Sequence, residues 1–225
     1  MPEPFALLRP FEDHLSVALF TKTDDIRTDV AAAQTFGLRD AAGLCQMHGN
    51  RTVVVRAPSN RTIEADGMIT DVPDLALCIR FADCQNFVLY APERHVCGVL
   101  HVGWRGLIAG AIPEFFRVMK GEWGIAPSET FVGAGPSLCT TCSDFSDPKG
   151  ELPSIPKRFI HGKCVDLQRA ATQQLVDLGV SPDRIERHPD CTRCRPELYW
   201  TYRGGDRDAV KTGHSNMLAC TLKRI

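Results

Sequence analysis

Short, dense apolar runs separated by turn residues dominate the middle of the chain. Val53-Val54-Val55, Leu75-Ala76-Leu77-Cys78-Ile79, Phe87-Val88-Leu89-Tyr90 and Val96-Cys97-Gly98-Val99-Leu100-His101 are four such runs; Asp71-Val72-Pro73-Asp74 leads into the second and Pro92 follows the third. Their length and turn-residue boundaries predict strands buried on both faces. The period then changes. Leu107, Ile108, Ala111, Ile112, Phe115, Phe116 and Met119 recur at helical spacing and line one stripe, with a kink or restart expected at Pro113. A second helix is predicted from Asp166 as N-cap through Leu167, Ala170, Ala171, Leu175 and Leu178, ending at Gly179 as C′. Ser143 to Lys163, with Pro148, Pro153 and Pro156, reads as a long surface excursion. The first 45 residues read only as scaffold strands. Strands and helices interleave without a strict βαβ rhythm, which gives an α+β or α/β layered domain.

Composition narrows the function classes. The sequence has 225 residues, 44% hydrophobic and 24% charged, with a formal net charge of −1. This excludes disorder and makes a broad electropositive nucleic-acid face improbable. No apolar run reaches the roughly 20 residues of a membrane-spanning helix. The N-terminal residues lack the charge and apolar pattern of a signal peptide, so a cytoplasmic protein is expected.

Ten cysteines stand out in such a chain. Reduced thiols serve as small apolar residues, nucleophiles or metal ligands. Cys45, Cys78, Cys97, Cys164 and Cys220 lie in or beside apolar runs and read as buried packing residues. Cys84, with His48 and His101, reads differently, because these side chains fall in turns or at strand ends, in Gln46-Met47-His48-Gly49-Asn50, Ala82-Asp83-Cys84 and His101-Val102-Gly103-Trp104-Arg105-Gly106. Two imidazoles and a thiolate suit zinc, and three protein ligands leave a fourth position open, as in catalytic sites. Gly103 and Gly106 would let backbone approach a bound ligand. Taken singly, each is ordinary: a His beside Gly is usually a polar turn residue. The long separations between the three form no local knuckle.

Cys139-x-x-Cys142 and Cys191-x-x-Cys194 are a second candidate, a closed, structural Cys₄ site, although their separation exceeds the usual ribbon spacing. The zinc nucleobase deaminases are excluded: Asp190 rather than Pro precedes Cys191, and the chain contains no His-x-Glu. A thioredoxin-like reading of the second pair is weak, since Pro196 follows closely.

Five ordered motifs carry a resemblance: Gln46-Met47-His48-Gly49, Ala65-Asp66-Gly67-Met68-Ile69-Thr70, Ala82-Asp83-Cys84, His101-Val102-Gly103-Trp104-Arg105-Gly106 and Gly135-Pro136-Ser137-Leu138. With Cys191-Thr192-Arg193-Cys194 and Tyr199-Trp200-Thr201-Tyr202-Arg203, the chain from about Gln46 onward resembles the laccase-domain family, also called multicopper polyphenol oxidases and regarded as purine nucleoside phosphorylases. The resemblance implies a single domain over residues 1–225, a sandwich of β-sheets with helices outside. It implies zinc at His48, Cys84 and His101, with copper as the older assignment. Purine nucleosides and phosphate are the implied substrates, through phosphorolysis, adenosine deamination or both. Arg105 and Arg203 lie in family motifs and are candidate phosphate anchors; Asp83 is a candidate for ligand orientation, proton transfer or turn capping. Three positions depart from the family pattern: Cys139 replaces a common Gly, Ser143-Asp144 a Tyr-Glu pair, and His214 a usual Arg, which would remove one anion contact. Two other chemistries remain open, a metal-free cysteine hydrolase with Cys84 as nucleophile and His101 or His48 as base, and a copper polyphenol oxidase.

Overall fold

A computed structural model describes residues 4–224; part of the N-terminal reading, on Met1 to Glu3, lies outside them. The four expected strands form at Thr52–Val54, Ala76–Phe81, Gln85–Ala91 and Val96–Val102. They are divided between two sheets. One has five strands in the order Leu15–Phe20, Asn216–Leu222, Ala76–Phe81, Ala41–Cys45, Ser59–Glu64. The other has six, in the order Ile185–Arg187, Phe131–Ala134, Gln85–Ala91, Val96–Val102, Gly67–Thr70, Thr52–Val54.

Alternation along the strands builds the layers. Val88, Tyr90, Cys97 and Val99 face the five-stranded sheet and pack with Leu77, Ile79, Leu218 and Cys220. Their neighbours Phe87, Leu89, Leu100 and Val102 face the other way, onto Phe115, Phe116, Met119 and Leu175 of two helices. Across the five-stranded sheet, Cys78, Met217 and Ala219 pack on Ala32 and Ala33 of a third helix. The result is a mixed α/β sandwich, two sheets face to face with helices on both outer sides.

The helices bear out one expectation and sharpen another. Leu167–Asp177 is capped by the Asp166 carboxylate, which accepts from the Arg169 N–H at 2.9 Å, and Gly179 at φ +107° follows its end. The long stripe is two helices, Trp104–Ile108 and Ala111–Trp123, which break at Gly110 with φ +81°. Pro113 therefore sits in a first turn, where its missing N–H costs nothing.

Three expectations need correction. The segment from Ser143 to Lys163 runs over the surface as expected but is more than loop: it holds the short helix Pro148–Glu151 and anchors Phe145, Leu152, Ile155 and Phe159 in the core. Its Phe145 N–H donates to the Lys163 carbonyl, and the Val165 N–H returns to that of Ser143. Cys45 is exposed and Cys164 half-buried, because each lies where a strand gives way to a turn, whereas Cys78, Cys97 and Cys220 are buried as expected. The first 45 residues contribute a helix, Asp29–Thr35, as well as strands, with the Thr28 hydroxyl accepting from the Ala31 N–H. No helix among the described residues is long and apolar enough to cross a membrane.

Candidate metal centre and its cavity

Three strands of the six-stranded sheet end side by side, and the same pleat that sorts their apolar residues sets the site. Beyond Met68, Val88 and Val99, the next positions on the face toward the second sheet are Asp66, Asn86 and His101. Cys84 continues that row one step past Asn86. His48 arrives from the turn after Ala41–Cys45. One ligand atom from each of His48, Cys84 and His101 lies within 4.8 Å of the other two, and the two rings meet edge to face at 4.9 Å. A Cβ on Gly103 would come within 3.0 Å of the His48 ring and 3.2 Å of the Cys84 sulfur. A Cβ on Gly106 would meet the Gly49 carbonyl at 2.7 Å. The two glycines thus make room for the ligand turn rather than for a ligand.

Asp66 organises the set, a role that the motif Ala65-Asp66-Gly67-Met68-Ile69-Thr70 does not by itself reveal. Its carboxylate accepts from the backbone N–H groups of Met47, His48 and Gly49 at 3.2, 2.9 and 2.7 Å and from His101 Nδ1 at 2.8 Å. His48 is held at φ +60°, a left-handed conformation unusual for a side-chain-bearing residue. With Nδ1 donating to Asp66, the other nitrogen of His101 is the one available to a ligand, the carboxylate–histidine pairing common at metal sites. An acidic residue followed by Gly at the start of a buried strand was the available signal. Its partners, however, come from distant segments.

The charges are strongly coupled. Burial alone pushes the Cys84 thiol up, but the adjoining His101 and His48 rings outweigh it and bring it down to about 6. Burial pulls His101 down, and the Cys84 thiolate and Asp66 carboxylate overcome that to raise it to about 9. Burial likewise raises Asp66, while His101 and the backbone donors hold it below the usual carboxylate range. In metal-free protein Cys84 is then a thiolate above about pH 6 and loses that form as pH falls through this value. Alkylation of Cys84, followed by peptide mass spectrometry after timed pulses, should show a midpoint near 6. A free cysteine gives roughly 8.5, and a midpoint there would rule out a protonated His101 ring beside the sulfur.

Asp83 is also at positive φ, +91°, and 7% exposed. Its Oδ1 accepts from the hydroxyls of Thr192 and Thr201 at 2.7 and 2.6 Å, and its Oδ2 from the Arg203 N–H at 2.7 Å. The carboxylate thus ties the C-terminal loops to the Cys84 turn. Arg203 places its guanidinium against Asp144, 2.7 Å from the carbonyl and 3.1 Å from the carboxylate. Arg105 is exposed, lies 4.3 Å from the centre of the Trp104 ring, and forms no salt bridge among the described residues. The His214 ring lies tilted against Trp200, with ring centres 4.7 Å apart. His48, Cys84, His101, Arg105 and Arg203 all line one cavity of about 660 Å³, within the range of small-molecule sites.

The four remaining cysteines also converge. The sulfurs of Cys139, Cys142, Cys191 and Cys194 lie within 4.8 Å of one another, outside the cavity lining, with Cys191 buried and Cys194 exposed.

Structural neighbours share the fold. YlmD from Geobacillus stearothermophilus superimposes with a TM-score of 0.80 at 23% identity, covering 96% of this chain and 94% of that one. YfiH of Bacillus licheniformis gives 0.75 at 23% identity over 87% and 79%. In sequence, the chain is 31% identical over 172 residues to purine nucleoside phosphorylase SCO2081 of Streptomyces coelicolor, covering 72% of this chain and 70% of the relative. It is 30% identical over 173 residues to purine nucleoside phosphorylase YlmD of Geobacillus stearothermophilus, covering 71% of this chain and 60% of the relative. The match to purine nucleoside phosphorylase LACC1 of Mus musculus spans only 34% of that protein. The family model described as multi-copper polyphenol oxidoreductase laccase matches residues 21–221, so the chain belongs to that family.

Proposed function

We propose that this chain cleaves purine nucleosides by phosphorolysis, with zinc held by His48, Cys84 and His101. The convergence of these three side chains in a cavity with room for a small-molecule substrate carries the reading. The donor set fits the metal: two imidazoles and a thiolate, one ring oriented by a carboxylate, and no fourth protein ligand in the cluster. Copper oxidase chemistry fits less well. A His₂Cys set can hold a copper for electron transfer, but the second cluster among the described residues is all thiolate and brings no further imidazoles for an oxygen-reducing copper set.

Zinc held there supplies Lewis acidity toward a substrate oxygen or nitrogen. The chain's own residues do the rest. Trp104 and Phe145, ring against ring at 5.9 Å, form an apolar wall that shields a base from water. The Ser143 hydroxyl and the Gln85 side-chain amide oxygen, Oε1, are buried without hydrogen-bond partners in the protein, and both residues line the same cavity, where they can bind sugar hydroxyls or base edges. Asp66 keeps the Nδ1 proton on His101. Arg105 binds phosphate as a bidentate fork and holds it toward C1′. A phosphate oxygen then bonds to C1′, the bond from C1′ to the purine nitrogen breaks, and the base leaves with that electron pair and takes up the proton that the hydrogen phosphate gives up. Arg203 is the weaker anchor, because Asp144 already occupies its guanidinium. Replacing Arg105 by Ala is therefore expected to raise KM for phosphate about tenfold, roughly one charge-assisted contact, and to leave nucleoside KM near its starting value. Steady-state kinetics with each substrate varied in turn measures both.

The decisive experiment incubates zinc-loaded protein with adenosine, with and without phosphate, and identifies the products. Free adenine with ribose 1-phosphate, formed only when phosphate is present, is the expected result. Inosine formed regardless of phosphate would replace phosphorolysis with deamination, and no product in either arm would overturn the proposal.

One observation favours a second reading. Cys84 thiolate, His101 and Asp66 are arranged as nucleophile, base and orienting carboxylate. Turnover that survives complete chelation supports this cysteine hydrolase; activity lost on chelation and restored by zinc dismisses it.

A further inference from the structure

We infer that Cys139, Cys142, Cys191 and Cys194 bind a second zinc ion, in a closed site that pins one wall of the cavity. Zinc–sulfur bonds of about 2.3 Å in a tetrahedron separate the sulfurs by about 3.8 Å. Cys142 and Cys194 sulfurs are 3.5 Å apart and those of Cys139 and Cys194 3.9 Å, and all four are mutually within 4.8 Å. These spacings are far beyond the roughly 2.05 Å of a disulfide, and all four thiols are free. Two Cys-x-x-Cys turns facing each other are the usual source of such a set. The Cys139 N–H also donates to the Cys191 sulfur at 3.2 Å, which stabilises a thiolate there. Packing does not account for the cluster, since Cys194 is exposed. Four thiolates close the coordination sphere, so the ion has no open position and is structural.

Its place gives it a task. The Ser137–Cys191 bridge and the Thr192 N–H to the Ser137 carbonyl join the two cysteine turns. Thr192 and Leu138 both reach Asp83, by hydroxyl to carboxylate and by N–H to carbonyl. Leu138, Ser143 and Phe145 line the cavity just beyond. The ion thus staples the segment after residue 137 to the segment around residue 192, next to the Cys84 turn.

Metal analysis of chain purified under reducing conditions should give two zinc ions per chain. Cys194→Ser and Cys142→Ser should each lower this to one and reduce the melting temperature. Cys84→Ala should also give one, but its cobalt-substituted form should retain the intense sulfur-to-metal and tetrahedral ligand-field bands of an all-thiolate site. Those bands do not depend on the serine variants folding. A wild-type ratio of one that Cys84→Ala abolishes, cobalt spectra without the all-thiolate bands, or peptide maps showing disulfides among the four in freshly reduced protein would each overturn the inference.

Discussion

Replacing Cys84 by Ala is expected to strip the metal from the His48–His101 pair and to lower purine nucleoside turnover on the order of 10³-fold. The magnitude follows from a Lewis acid contributing several kcal/mol to a transition state, at about 1.4 kcal/mol per factor of ten. Beyond the stabilisation that bound metal contributes and that is lost with it, stability should change little, because the turn is held by Asp83 rather than by the thiol. Zinc content, turnover and thermal midpoint measured on one preparation separate these effects. Turnover that persists after the metal is lost would reject the zinc reading, whereas loss of fold would show that the sulfur itself supports the turn.

Asp83 should give the opposite profile, a large loss of stability. Its carboxylate satisfies two hydroxyls and one backbone N–H in a nearly closed environment. A hydrogen bond to a charged acceptor contributes about 1.5–3 kcal/mol, and the three do not add fully. Asp83→Ala is expected to cost about 4 kcal/mol, part of it strain from placing Ala at φ +91°. For a chain of this size that lowers the melting temperature by roughly 10 °C. Asp83→Asn tolerates the same backbone and keeps an acceptor for the threonines, so it should recover about half of the loss. Equal destabilisation by Ala and Asn would place the effect in the charge alone. No destabilisation by either would remove Asp83 from its positioning role.

The site was partly legible because its ligands occur where local rules place polar residues. His101 follows Val99 and Leu100 at the end of a buried strand, Cys84 lies in a turn between two such strands, and His48 precedes a glycine. Each of these positions can be read from a few neighbouring residues. Asp66 could not be assigned a role in the same way, since its four donors come from residues 47–49 and 101, brought together by strand register. Arg203 reads from the sequence as a candidate phosphate anchor, and only the fold sets Asp144 beside it. The anchoring of the segment from Ser143 to Lys163 was hidden for a related reason. Phe145, Leu152, Ile155 and Phe159 stand seven, three and four residues apart, a helical interval, but Pro148, Pro153 and Pro156 interrupt it, so their burial shows only once the rest of the fold is in place.

By itself the sequence determined four of the central strands, the Asp166 cap and Gly179 end of one helix, and the identity of the seven side chains in the two metal-capable clusters. These depend on short-range patterns: pleat alternation, capping hydrogen bonds and ligand chemistry. Tertiary structure alone decided which strand joined which sheet, that Asp66 clamps the His48 turn onto His101, and that Asp83 bolts the C-terminal loops to Cys84. Those outcomes follow from sheet register, where shifting a strand by one residue turns every side chain to the opposite face. Register in turn is set by burying two apolar layers at once, a condition on the whole chain that no short window of residues contains.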